Sequence, residues 1–216
     1  MKKAYIFLII LILSASAVLS SGCGEKKLNV STTTLKLNKD GSITHVIIDD
    51  NSSGYTQDEL SVYIDGLLSS YNTDPEQPAV KLDELTVSGD GSSIRIVMEY
   101  LSWYDYTYFN NVPFYVGTVK NAMNSGYDFS AVFSADSGLK LSGYTLPAEY
   151  PDLNVMVVDE AMDILLPSDA LLISDTVTEN ENGGYTVAKT INENVPEVFQ
   201  TLNSQYSYLI YKSTLK

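Results

Sequence analysis

The chain has 216 residues, 44% of them hydrophobic, and its 27 acidic against 13 basic side chains leave a net charge of −14. That apolar content excludes a disordered chain, and an acidic surface repels nucleic-acid phosphates rather than binding them. A single cysteine and a single histidine exclude a disulfide framework and any metal centre built on several Cys or His ligands.

In chain order, Met1-Lys2-Lys3 precedes the apolar run AYIFLIILILSASAVL, Ala4 to Leu19. This run is shorter than the roughly 20 residues that span a bilayer, and small residues follow it, which is the pattern of a secretory signal peptide. Ser20, Ser21 and Gly22 lead directly into Cys23, the only thiol. The junction resembles the lipobox of bacterial lipoproteins, where the cysteine takes a diacylglyceryl thioether and becomes the mature N-terminus. A lipobox usually carries leucine three residues before the cysteine; here Ser20 stands there, with Leu19 one step earlier. The resemblance implies lipidation of Cys23 and anchorage to the outer face of the cell membrane. Residues 1–22 are then a signal peptide, 23–27 the lipidated cysteine and a short spacer, and 28–216 one α+β extracytoplasmic domain, with a subdivision near 128 left open. Loss of Lys2 and Lys3 with the leader takes the charge from −14 to −16.

Two strands flank NKDG, containing Val30, Leu35, Leu37, Ile43, Val46 and Ile48, with Asp40-Gly41 supplying the turn. The period then changes. Leu60, Ile64, Leu67, Leu68 and Tyr71 recur at helical spacing, and Thr56 with Glu59 forms a capping box, so a helix is expected from Thr56 to Tyr71 with that stripe buried. A second hairpin, Val80 to Tyr100, turns at Asp90-Gly91. Two short helices are expected after it, one at SWYDYTYFN capped by Ser102 and one over roughly 116–125 closed by Gly126. LKLNKDGS and LTVSGDGS share one form; hairpin turn chemistry alone accounts for the match, with a duplicated ββα unit as the lesser alternative. From Phe129 on the chain reads mostly as strands, including NVMVVDEAMDILL and the closing YLIYK. The fold class expected is α+β, with antiparallel hairpins and a few helices in the N-terminal half and a β-rich C-terminal half.

DGSITHVIIDD, YTQDELSVYIDGLLSSYN, YLSWYDYTYFNN, GTVKNAMNSGYD and the terminal YLIYK resemble a group of lipoproteins from clostridial-type Gram-positive bacteria. The resemblance implies a cell-surface location and supplies no catalytic residue or cofactor.

Three local constellations merit weighing. On strand alternation His45 shares a face with Ile43 and Ile47, opposite Val46 and Ile48, and reads as a hydrogen-bonded or partly solvated residue, since no partner motif for catalysis or zinc accompanies it. DDNSSGYTQDEL imitates a calcium loop at Asp49, Asn51, Ser53 and Gly54, but Leu60 occupies the twelfth position, where a bidentate glutamate belongs. Tyr100, Trp103, Tyr104, Tyr106, Tyr108 and Phe109 surround Asp105, Asn110 and Asn111. Rings beside carboxylate and amide groups suit a saccharide, so Trp103, Tyr104, Asp105, Tyr108 and Asn110 are the candidate ligand-binding residues; on a helix, Tyr106 and Phe109 would face the core instead. No catalytic residue, metal or cofactor is assigned. The function expected is a non-catalytic, membrane-anchored lipoprotein binding a partner or envelope component. A glycan- or solute-binding module is the alternative, and a carboxylate-based hydrolase, with paired carboxyls about 5–9 Å apart, ranks last.

Overall fold

The computed structural model describes residues 27–129, 133–134, 140–141, 153–188 and 206–212. The leader, Cys23 and most of the spacer lie outside the described residues, as do parts of the strands expected at FSAVFS and LKLSGY.

Strands β1 (Thr34–Leu37) and β2 (Ile43–Asp49) form the first hairpin, and helix α1 (Gln57–Tyr71) follows. Strands β3 (Val80–Val87) and β4 (Ile94–Tyr100) form the second, followed by helix α2 (Trp103–Asn110), strand β5 (Phe114–Thr118) and helix α3 (Val119–Asn124). Then come β6 (Phe133–Ser134), β7 (Lys140–Leu141), β8 (Leu153–Val158), β9 (Met162–Leu165), β10 (Ala170–Ser174), β11 (Val177–Glu179), β12 (Tyr185–Val187) and β13 (Ser207–Lys212). The α+β class expected from sequence holds.

The strands build two sheets, ordered β11-β12-β9-β1-β2-β4-β3 and β5-β8-β13-β10-β6-β7. All described pairs are antiparallel except β1 with β9. Local chemistry fixes the hairpins. Gly41 and Gly91 take positive φ at the two turns, and the carboxylates of Asp40 and Asp90 accept bonds from the N–H and Oγ of Ser42 and Ser92.

The main core lies between the sheets, where Leu35, Ile43, Met98 and Tyr100 of the first meet Phe114, Met156, Leu209 and Tyr211 of the second. The far face of the second sheet is buried as well, by Val119 and Ala122 of α3 and by Phe129 over Val155, Val157 and Ile210. Strand β8 is therefore buried at every position.

Four expectations are corrected. Val30 is not in a strand: β1 begins at Thr34, and the residues before it run as a strap across the outer face of the first sheet. Arg95 donates from Nη2 to Leu28 O (2.6 Å) and from Nη1 to Val30 O (3.2 Å), while Lys27 Nζ meets Glu84 Oε2 at 3.2 Å. Val46 and Val97, cross-strand partners on that face, are buried. Val116 is in β5, where its aromatic and β-branched neighbours pair with β8; the helix starts only at Val119, with Thr118 Oγ1 accepting from Asn121 N–H. The run NVMVVDEAMDILL breaks into β8 and β9, which belong to different sheets.

Leu67 is the fourth correction. The capping box forms as expected, with Thr56 N–H donating to Glu59 Oε2 (2.9 Å) and Glu59 N–H to Thr56 Oγ1 (3.3 Å). Ile64 is buried, and Leu68 and Tyr71 pack against the core, but Leu67 is 40% exposed. The helix rests on a single edge strand, so its buried stripe is narrow, and positions 63 and 67 turn outward.

Candidate functional site

Helix α2 carries the aromatic stretch. Its entry is set by Ser102, whose Oγ accepts from Asp105 N–H, and its exit by Asn111 in the left-handed conformation (φ 53°). One face is rooted. Tyr106 is fully buried, its ring against Tyr100, His45 and Phe114, and its Oη donates to Glu160 Oε2 at 2.8 Å. Burial first, and then the adjacent Glu160 carboxylate, pushes the Tyr106 hydroxyl far above its ordinary value. Phe109 packs beside Tyr71 and Tyr100.

The opposite face is open. Tyr104 and Tyr108, one helical turn apart, are 52% and 59% exposed, and their rings lie 4.2 Å apart with an interplanar angle of 39°. Its hydrogen bond with Tyr108, ahead of the charge interaction between the two, raises the Tyr104 pKa. Leu101, 70% exposed, lies just before the helix.

From this pair a continuous series of rings runs along the second core cluster. Trp103 contacts Tyr104 at 6.0 Å and Tyr115 at 5.0 Å; Tyr115 contacts Tyr127 at 5.3 Å, and Tyr127 contacts Tyr206 at 5.5 Å. Trp103 is half-buried and packs against both core clusters. Nothing in the local sequence signalled Tyr115, Tyr127 or Tyr206, which lie up to about a hundred positions away.

The structure places the five candidate residues on one helix but gives them different work. Asp105 accepts from Ser102 Oγ at 2.5 Å and from Tyr71 Oη at 3.2 Å, tying α2 to α1. Desolvation, followed by that carboxylate, lifts the Tyr71 pKa to about 12. Asn110 Oδ1 accepts from Tyr100 Oη (3.3 Å), and its Nδ2 donates to Tyr106 O (2.8 Å). Trp103 supports the pair from beneath. Tyr104 and Tyr108 alone present broad exposed rings.

Asn51, third in the calcium-like pattern, is buried with φ 46°. Its Nδ2 donates to Tyr55 O and Gly91 O, and its Oδ1 accepts from Tyr55 N–H, so it pins the β2–α1 loop to the second hairpin turn. His45 is corrected too. It is neither hydrogen-bonded nor solvated: it is 6% exposed, and neither ring nitrogen has a partner among the described residues. Burial holds its pKa at about 4.

Two shallow openings flank the first sheet. One of about 230 Å³ is lined by Asn38, Asp40, Lys81, Glu99 and Leu101. The other, about 490 Å³, lies beside the strap, between Leu28, Val30 and Thr32 and the side chains of Asp163, Asn180 and Asn182. Trp103 lines neither. In the second, Asp163 already accepts from Thr32 Oγ1 and Thr186 Oγ1, each at 2.6 Å. No helix among the described residues is long and apolar enough to cross a membrane.

No family model, no curated protein and no solved structure matches this chain.

Proposed function

We propose that this chain is an extracytoplasmic lipoprotein, held on the outer face of the cell membrane by lipid on Cys23, that works by binding an envelope component rather than by catalysis. The observation that carries the binding reading is the Tyr104–Tyr108 pair: two adjoining, mutually tilted, solvent-exposed rings on a helix whose opposite face is fixed by Tyr106, Phe109 and the Asp105 carboxylate. Exposed large rings on a rigid support offer contact area at little conformational cost, because the helix is ordered before any ligand arrives. A saccharide is the ligand class that exposed tyrosine rings with their own hydroxyls fit best, since C–H faces of sugars stack on such rings. The net negative charge disfavours anionic polymers.

The test is a screen of glycans and cell-wall fragments against the mature protein by thermal shift, because a ligand that binds only the native state raises its melting temperature. A shift seen with the wild type and lost in Tyr104→Ala/Tyr108→Ala supports the reading. A shift that survives the double substitution places the ligand elsewhere. Anchorage has its own test. Cys23→Ala is expected to release a folded domain from the membrane fraction, and retention of a cleaved, intact Cys23→Ala protein would refute lipidation.

A further inference from the structure

Among the described residues, nothing covers one face of helix α1. Val62, Tyr63 and Leu67 are 75%, 66% and 40% exposed, and Tyr55, just ahead of the helix, is 52% exposed. Positions 62, 63, 66 and 67 are helical neighbours, and Gly66 among them adds no side chain, so the apolar surface is continuous. An apolar face of this kind on a monomer's surface marks contact with something.

The start of the described chain indicates with what. Lys27 sits on Glu84, midway along β3, and β3 is the edge strand of the first sheet. Lys27 follows Cys23 by four positions, a reach of about 14 Å at full extension. Helix α1 lies along this same strand from end to end. Val87 N–H points to Gln57 Oε1 (3.5 Å) at one end, and Asn72 holds both the N–H and the C=O of Val80 at the other. The middle of the helix is therefore level with the middle of this edge strand, the helix packing on its core face and Lys27 meeting Glu84 on its outer face, so that both border the β3 edge.

We propose that the outer face of α1 rests on the membrane that holds the Cys23 lipid, with Val62, Tyr63 and Leu67 entering the headgroup–acyl boundary. This extends the lipoprotein reading and depends on it. Tyrosine suits that depth because its ring is apolar and its hydroxyl stays wet. A diacylglyceryl group carries two acyl chains and holds the protein on the bilayer by itself, so the contact from the folded domain serves to fix its orientation. Helix α1 bears Asp58, Glu59 and Asp65 and no basic residue, so the surface it suits is zwitterionic.

The test uses the lipidated mature protein in phosphatidylcholine vesicles. Cys23 carries the lipid, so Leu67→Cys provides one free thiol for an environment-sensitive fluorophore; Asn182→Cys, in the turn at the opposite edge of the sheet, is the control. The Leu67 probe is expected to shift to shorter wavelength and to be quenched by nitroxide-labelled lipid, with Asn182 unaffected. Equal exposure of both probes to an aqueous quencher, on protein that floats with the vesicles, would overturn the docking alone. Failure to float would remove the anchor and the docking together. Protection of the Leu67 probe without lipid, rising with protein concentration, would assign the face to a second copy and also overturn the proposal.

Discussion

His45 and Tyr106 pack with ring centroids 5.4 Å apart and planes at 69°, inside a row where Leu35 and Met98 are the cross-strand partners of the histidine. The row faces the main core, so the imidazole is packed against the Tyr106 ring, whose hydroxyl is already bonded to Glu160, and neither of its nitrogens has a partner among the described residues. The folded protein therefore holds His45 neutral down to about pH 4, whereas the unfolded chain takes up a proton near its ordinary 6.5. A depressed pKa makes stability fall with acidity: the contribution is intact above pH 6.5 and is lost as pH drops toward 4. The span corresponds to roughly 3 kcal/mol. His45→Leu is expected to be at least as stable as the wild type at pH 7, since it removes two unsatisfied nitrogens. Its advantage should grow by roughly that amount by pH 4. Urea titrations of both proteins across this range isolate the effect, because the carboxylates are common to both. A constant difference would show that the site admits a charged imidazole.

Tyr115 lies across Gly117 on β5. A Cβ at 117 would come within 2.7 Å of Tyr115 Cζ, so only glycine lets the ring fold over the strand and reach Trp103. Gly117→Ala is expected to lift the ring at a cost of about 1–3 kcal/mol, as overpacking does. Trp103 is the only tryptophan, so its fluorescence reports the loss directly. Adding Tyr115→Leu should restore most of the stability, and the double-mutant cycle measures this coupling. Purely additive effects would mean that the ring and the glycine do not share space.

The guanidinium of Arg95 fastens the strap by two carbonyls. Arg95→Ala is expected to leave residues 28–32 exchanging their amide hydrogens at least tenfold faster, a loss of roughly 1.4 kcal/mol or more in local opening energy. Amides of β8 and β13, buried in the second sheet, should be unchanged. Uniform acceleration across both sheets would show that the strap belongs to the global core rather than to its outer face.

These cases show why the two halves differ in legibility. The Asp-Gly turns, the Thr56–Glu59 box and the outward placement of Tyr104 and Tyr108 rest on residues within four positions of one another, so periodicity and cap chemistry suffice. The division of NVMVVDEAMDILL does not. Met156 and Ile164 are both fully buried and apolar, and what separates them is that β8 pairs with Ser207–Lys212 while β9 pairs with Thr34–Lys36. Likewise, the Asp105 carboxylate looked available beside the rings, yet its partner Tyr71 comes from a helix 34 positions earlier. Long-range partners leave no local trace.

Helix α1 allows the sharpest contrast between neighbouring positions. Ile64 is 6% exposed within the main core, and Ile64→Ala is expected to cost about 2–5 kcal/mol. Leu67, one turn nearer the C-terminus, has 40% of its surface in water, so Leu67→Ala should cost well under half as much; a truncation there leaves no cavity. Gly66 lies between them with open space where a Cβ would stand and φ outside the left-handed region. Nothing then offsets the ordinary preference for alanine in a helix, and Gly66→Ala should raise stability by up to about 1 kcal/mol. Denaturant midpoints of the three variants, measured in the absence of membranes, decide the matter. A large loss at Leu67 would restore it to the buried stripe and remove the apolar face from which the membrane contact was inferred. A loss at Gly66 would mean that the outer face is covered by part of the chain outside the described residues.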